Sequence, residues 1–417
     1  MTNKPNKLIG NAVVGQSGGP TAAINATLAG VIRGVKDKDA HDGAIGKLYG
    51  MRNGVEGLLE ERLMDLSARF EDDADIDLLE NTPAAALGSC RKKLPDPAED
   101  PAFFEKLIGI FKKYDIRYFF YIGGNDSMDT VAKLSAYTKE HDYEMRIIGV
   151  PKTIDNDLVV TDHTPGFGSA AKYIATTVRE IIRDCAVYTT KAVTIVEIMG
   201  RDAGWLTASA AIGRAVDGVE PDLLYLPERD FSMEQFLEDV KGKLAQKPNV
   251  VVAVSEGLRF ADGRYVGEGA QSGAVDIFGH RYLAGTGKAL EMAVKSEIGC
   301  KVRSVELNLP QRCAAHLTSD TDLCESVCVG KAAVRAACDG VTRAMMTILR
   351  AKGDEYTTYI GSSDVSMIAN KIKKVDEHFI NEKGNHVTDE CCRYLLPLIA
   401  GERKVTYKDG LPVHIIL

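Results

Sequence analysis

The sequence predicts an α/β protein made of two Rossmann-like three-layer domains with mostly parallel sheets. Two observations carry this. Short, almost continuously apolar runs alternate with longer helical patterns nearly end to end, as parallel strands covered by helices on both faces require. The chain also has 417 residues, more than one ordinary core accommodates. Apolar residues at 45% and charged residues at 26% are globular values that exclude a disordered or fibrous chain.

The elements follow in order. The run "LIGNAVVGQ" reads as a strand feeding a helix through "TAAINATLAGVIRGV". The pattern repeats with "YFFYIGG" and "SMDTVAKLSAYTKEH", after which "RIIGVPK" supplies a third strand. A second series comprises "AVTIVEIMG" with the helix "AGWLTASAAIGRA", "DLLYLPE" with "SMEQFLEDVKGKL", and "NVVVAVSEG". No heptad, short repeat or low-complexity tract interrupts the alternation.

A formal net charge of -8 excludes a nucleic-acid or anionic-membrane binder that relies on a cationic surface, so any bound phosphate must meet local positive charge. The N-terminus lacks an apolar signal core and no run is long enough to span a bilayer, which predicts a cytoplasmic protein. Nine cysteines without zinc-site spacing read as reduced thiols.

In open parallel sheets ligands bind beyond the carboxyl ends of the strands. Five junctions there are polar: "GQSGGPT" at 15–21, "GGNDS" at 123–127, "PKTIDND" at 151–157, "MGRDAG" at 199–204 and "SEG" at 255–257. Gly18 and Gly19, and again Gly123 and Gly124, let backbone N–H groups approach an anion at a helix N-terminus. Asn125 and Asp126 also suit plain helix caps. In "TIDND", Asp155 and Asp157 lie on a short extended segment, where one carboxylate can face a substrate hydroxyl and the other a hydrated metal. Arg91, Arg201, Arg303 and Arg312 near strand ends are candidates for bidentate phosphate contacts. "AGTGKAL" at 284–290 imitates a P-loop, but Tyr282 and Ala289 stand where that motif needs Gly and Ser or Thr.

In this order and spacing, "GGxxS", "PxTIDND", "MGR" and "QR" resemble the phosphofructokinase family, from Gly15 to about Arg312, and within it the pyrophosphate-dependent branch. The resemblance implies the phosphofructokinase fold and transfer of a phosphoryl group from pyrophosphate to the 1-hydroxyl of fructose 6-phosphate, with Mg²⁺ as cofactor. It implies Asp155 as the base with Thr153 beside it, Arg91 and Arg201 as charge neutralisers, and Asp126 and Asp157 near the metal. Gly18, Gly19, Gly124, Asn125, Asp126, Ser127 and Lys152 would bind the donor. Thr153, Asp155, Asp157, Met199, Gly200, Arg201 and Glu256 would hold the sugar, with Arg303 and Arg312 on its 6-phosphate.

A basic residue from a neighbouring subunit completes the sugar site in the family, which implies a homo-oligomer, a dimer or tetramer. Three positions depart from the family pattern: Ala192 in place of an arginine, Leu309 in place of a histidine, and Asn125 in place of an aspartate. ATP-using members carry Gly where this chain has Asp126, whose carboxylate would repel a nucleotide α-phosphate by about a few kcal/mol. Lys152 fits the distal end of pyrophosphate, although some ATP-dependent relatives also carry "PKTIDND". The alternatives are an ATP-dependent kinase, a kinase of sedoheptulose 7-phosphate, and a silent sugar-phosphate-binding subunit. By the same resemblance the donor domain spans 1–165 with a return near 313–355, and the sugar domain 166–312 with 356–417.

Overall fold

The computed structural model describes residues 7–268, 285–353 and 355–417. The first sheet is built from β1 (Gly10–Gln16), β2 (Ile45–Met51), β3 (Leu63–Asp65), β4 (Ile116–Gly123) and β5 (Arg146–Pro151). The second comprises β6 (Ala192–Ile198), β7 (Leu223–Tyr225), β8 (Asn249–Ser255) and β9 (Lys301–Glu306). The chain then returns to the first sheet with β10 (Ala344–Arg350) and β11 (Thr358–Asp364).

The strand order is β11-β10-β5-β4-β1-β2-β3 in the first sheet and β7-β8-β6-β9 in the second. Among the described residues of these two sheets, only the outermost strands of the first, β11 and β3, pair antiparallel. Alternation along β1 and β4 explains why two helical layers form. Ala12, Val14, Tyr118, Phe120 and Ile122 face the helices Ile24–Lys36 and Asp320–Cys338. Val13, Phe119 and Tyr121 face Pro101–Lys113 and Asn125–Glu140. The second sheet is covered likewise, by Phe167–Cys185 on one face and by Met233–Gln246 and Thr286–Glu297 on the other. The α/β class and the three-layer architecture are thus as the alternating pattern predicts.

Two local differences have physical causes. The helix predicted over 203–215 breaks into Trp205–Ser209 and a 3₁₀ turn Ile212–Ala215, where Gly213 packs so closely on the Val219 carbonyl that a Cβ would lie 2.1 Å from it. In the P-loop imitation, Tyr282 and Ala284 lie outside the described residues. Its helix N-terminus is engaged by the protein itself, since the Gly287 N–H donates to Glu197 Oε2 at 2.6 Å.

Candidate active site

The strand order reverses between β1 and β4, so the loops after them lie side by side, with Gln16 in register with Ile122. The second sheet reverses between β6 and β8, where Ile198 pairs with Ser255. These switch points bring together the glycine loops of the first sheet and the "MGRDAG" and "SEG" loops of the second.

The first glycine loop is tied down from below. Buried Gln16 donates to Asn25 Oδ1 at 2.9 Å and accepts from the Leu87 N–H at 3.0 Å. Gly18, at φ +77°, donates its N–H to the Cys90 carbonyl at 3.0 Å, which sets Arg91 beside the loop. A Cβ on Gly18 would lie 3.2 Å from Lys152 Nζ; one on Gly19 would lie 3.2 Å from Arg312 Nη1 and 3.9 Å from Arg91 Nη2. Three cations therefore converge on a bare backbone turn in an acidic protein. Lys152 Nζ donates to the Gly19 carbonyl at 2.8 Å. Burial, with Arg91 and Arg312 nearby, pulls its ammonium down to about 8 against the opposing pull of Asp155 and Asp157.

At the second glycine loop, Gly124 precedes the helix Asn125–Glu140. Ser127 is buried against Gly123, where a Cβ would lie 1.9 Å from Ser127 Oγ. Asp126, in the first helical turn, pairs with Lys93 at 3.3 Å. The Asn125 amide is occupied elsewhere: its Nδ2 donates to the Lys371 carbonyl at 2.8 Å and its Oδ1 accepts from the Asn370 N–H at 2.6 Å.

After β5, the Thr153 hydroxyl donates to Asp155 Oδ2 at 3.1 Å. The segment is not extended as predicted. Asn156 is buried at φ +54°, so the chain turns in left-handed geometry between the two aspartates. Burial raises both carboxyls. Asp155 is raised despite the Thr153 hydrogen bond and the charges of Lys152 and Arg201. Asp157 is pushed up to about 7 by burial and then by repulsion from Asp155.

On the sugar side, the Met199 N–H donates to Gln311 Oε1 at 3.1 Å and the Gly200 N–H to Glu256 Oε1 at 3.2 Å. Burial pushes Glu256 up to about 7, with Asp155 and Glu197 adding repulsion. Arg201 follows directly and pulls on Asp155 electrostatically.

The two arginines expected on the 6-phosphate lie apart from each other. Arg312 sits at the donor-side glycine turn with Arg91 and Lys152, because the 3₁₀ turn Leu309–Arg312 carries it there. Arg303 is exposed on β9, the edge strand, opposite Thr194. It sits three residues, roughly 10 Å at strand rise, below the strand end at Glu306. There it lines a groove of about 360 Å³ with Glu180, Tyr188 and Lys301 instead of joining the cluster. Sequence reasoning missed Lys373, whose Nζ donates to Asn156 Oδ1 at 3.1 Å. A lone lysine in a loop far downstream carries no motif, so no local signal pointed to it.

The chain matches the family described as Phosphofructokinase over residues 11–337. It is 42% identical over 404 residues to the pyrophosphate--fructose 6-phosphate 1-phosphotransferase of Halomonas elongata, covering 96% of this chain and 94% of that protein. The enzyme of the same name from Xanthomonas campestris is 42% identical over 411 residues, covering 98% and 96%. The solved pyrophosphate-dependent phosphofructokinase of Nitrosospira multiformis superposes with a TM-score of 0.87 at 38% identity, covering 98% of this chain and 96% of that one. With two parallel sheets opening their switch points onto one cluster of cations and carboxylates, the chain belongs to the phosphofructokinase family.

Proposed function

We propose that the chain transfers a phosphoryl group reversibly between pyrophosphate and the 1-hydroxyl of fructose 6-phosphate. The observation that carries this reading is the convergence of Lys152, Arg91 and Arg312 on the Gly18–Gly19 turn, next to the paired carboxylates Asp155 and Asp157. Two linked phosphates need such a cluster, and nothing larger.

In the forward direction the sugar O1 attacks the terminal phosphorus, the bridging P–O bond breaks, and phosphate leaves. The O1 proton passes to Asp155, whose raised pKa makes it a better base and whose Oδ2 is steadied by Thr153. Arg91 and Arg201 neutralise the charge spreading over the moving group. Gly200 and Glu256 hold the sugar, and Arg312 takes a place on the donor side.

The metal is Mg²⁺. Among the described residues no three carboxylate, histidine or cysteine side chains gather into a cage. That suits an ion which binds through one or two carboxylates plus phosphate oxygens and water. Burial and then repulsion from Asp155 raise Asp157, and a cation there would offset both. Asp157 and Asp126 would hold it, and when bound it screens the charge on the transferring phosphates.

Domain roles follow the sheets: the donor on the first, the sugar on the second. As the family resemblance implies, the working unit would be a homo-oligomer, with Arg303, exposed on β9, free to face a second copy. All nine cysteines are free thiols, in keeping with a cytoplasmic setting, and among the described residues no helix is long and apolar enough to cross a membrane.

The test is fructose 1,6-bisphosphate formation from fructose 6-phosphate and Mg²⁺, with pyrophosphate and ATP supplied separately. Turnover with pyrophosphate alone is expected, and an Asp126→Gly variant should gain ATP-dependent turnover. Activity of the wild type with ATP alone would overturn the donor assignment.

A further inference from the structure

The loop that follows the catalytic strand is held in a conformation its own sequence does not favour. Asn156 lies at φ +54° and Val160 at φ +68°. For a β-branched residue the left-handed region is a true outlier, and such geometry persists only where the surroundings over-determine it. Asn156 also carries a buried Nδ2 with no partner among the described residues, a further cost.

One side chain spans this loop. Lys373 Nζ donates to Asn156 Oδ1 at 3.1 Å at its start, and to the carbonyls of Thr161 at 3.3 Å and Asp162 at 2.7 Å at its end. The Lys373 N–H donates to the Asp157 carbonyl at 2.7 Å. The ammonium thus closes residues 156–162 like a clasp, with the two left-handed residues inside.

The segment bearing Lys373 reaches both sheets. Upstream, Asn370 and Lys371 hold the Asn125 amide at the donor-side helix. The Lys373 carbonyl accepts from Trp205 Nε1 at 3.0 Å, and its ammonium lies 5.3 Å from the centre of the Trp205 ring. Downstream, the Val375 N–H shares Glu228 Oε1 with the Gly204 N–H, at 2.9 and 2.8 Å. Gly204 closes the "MGRDAG" loop. A single segment therefore touches the donor loop, the catalytic loop and the sugar loop.

We propose that Lys373 is a positioning residue for phosphoryl transfer, acting through Asn156 to fix the angle between the carboxylates of Asp155 and Asp157. This rests on the reading of the site given above. Phosphoryl transfer depends mainly on alignment, and a displacement of about 1 Å costs on the order of 100-fold in rate.

The test is steady-state kinetics of Lys373→Met, which keeps the packing on Trp205 and removes the ammonium. The wild type is first assayed with pyrophosphate and with ATP, and the variants are read with whichever donor works, so failure of the donor reading shows separately. Expected is a fall in kcat of about 100-fold with both KM values within about threefold. Lys373→Arg should recover at least about tenfold of that loss. Asn156→Gly, which tolerates the left-handed backbone but releases the clasp, should lose kcat similarly, and the double variant should be no worse than the poorer single one. A kcat for Lys373→Met within about threefold of wild type would overturn the proposal. If that variant does not fold, an unchanged kcat in Asn156→Gly overturns it.

Discussion

At the scale of single residues, the site divides into groups that a motif announces and groups that only the fold reveals. Asp155, Lys152, Arg201 and Glu256 were legible because each directly follows a strand, where βα loops collect. Arg312 and Arg303 were legible as arginines near strand ends, but not as to place. A 3₁₀ turn redirects one, and sheet register leaves the other on an exposed edge. Lys373 was illegible, since its role arises from contacts more than two hundred positions away in the chain. The base itself gives the sharpest residue-level expectation. Asp155→Asn should fold and bind both substrates while kcat falls by at least about 100-fold, as loss of a general base predicts. Kinetics with a binding measurement on the same preparation check this, and retained turnover would remove Asp155 from that role.

At the scale of elements, the strands announced themselves through continuous apolar runs, whereas the helix pair Ile24–Lys36 and Asp320–Cys338 needed the structure to be seen. These helices cross at bare backbone. A Cβ on Gly30 would lie 2.3 Å from the Val327 carbonyl, and one on Gly330 would lie 2.3 Å from that of Thr27. Helix propensity alone would favour alanine at both positions, so close packing has overridden it. Gly330→Ala should therefore destabilise the protein by about 1–3 kcal/mol, the usual range for overpacking, with kcat of the folded fraction unchanged. Denaturant unfolding measures it, and a stability equal to wild type would show that the helices can separate without cost. Three of the four edge strands of the two sheets went unread, whereas the buried edge strand β7 was legible in "DLLYLPE". β3, β9 and β11 lack the double-faced apolar pattern because each has a free side.

At the scale of the whole molecule, buried acids dominate the pH response. Burial pushes Glu197 and Glu256 up to about 7 and also raises Glu228 and Asp322. For each, the folded state holds its proton more tightly than the unfolded chain. Their contribution is full below the ordinary carboxylate range and is lost as pH rises through the folded value. His163 adds the same sign: hydrogen bonds to Asp162 and Glu325 raise its pKa against burial, so its stabilisation fades as pH rises past that raised value. The unfolding midpoint should fall by a few degrees between about pH 5 and pH 7.5, and Glu197→Gln should flatten the slope. Calorimetry across that range decides it, and a rising midpoint would refute the assignment. The path of the chain through its two sheets has another consequence, one of timing. The flank of β5 that ends at Pro151 has no neighbour until β10 arrives at Ala344. At roughly 5–20 residues per second a ribosome takes roughly 10 to 40 s to make the intervening stretch. Throughout that interval the nascent first sheet presents an unpaired central edge, so the risk of aggregation during synthesis persists until β10 has been made, after the second sheet is already complete.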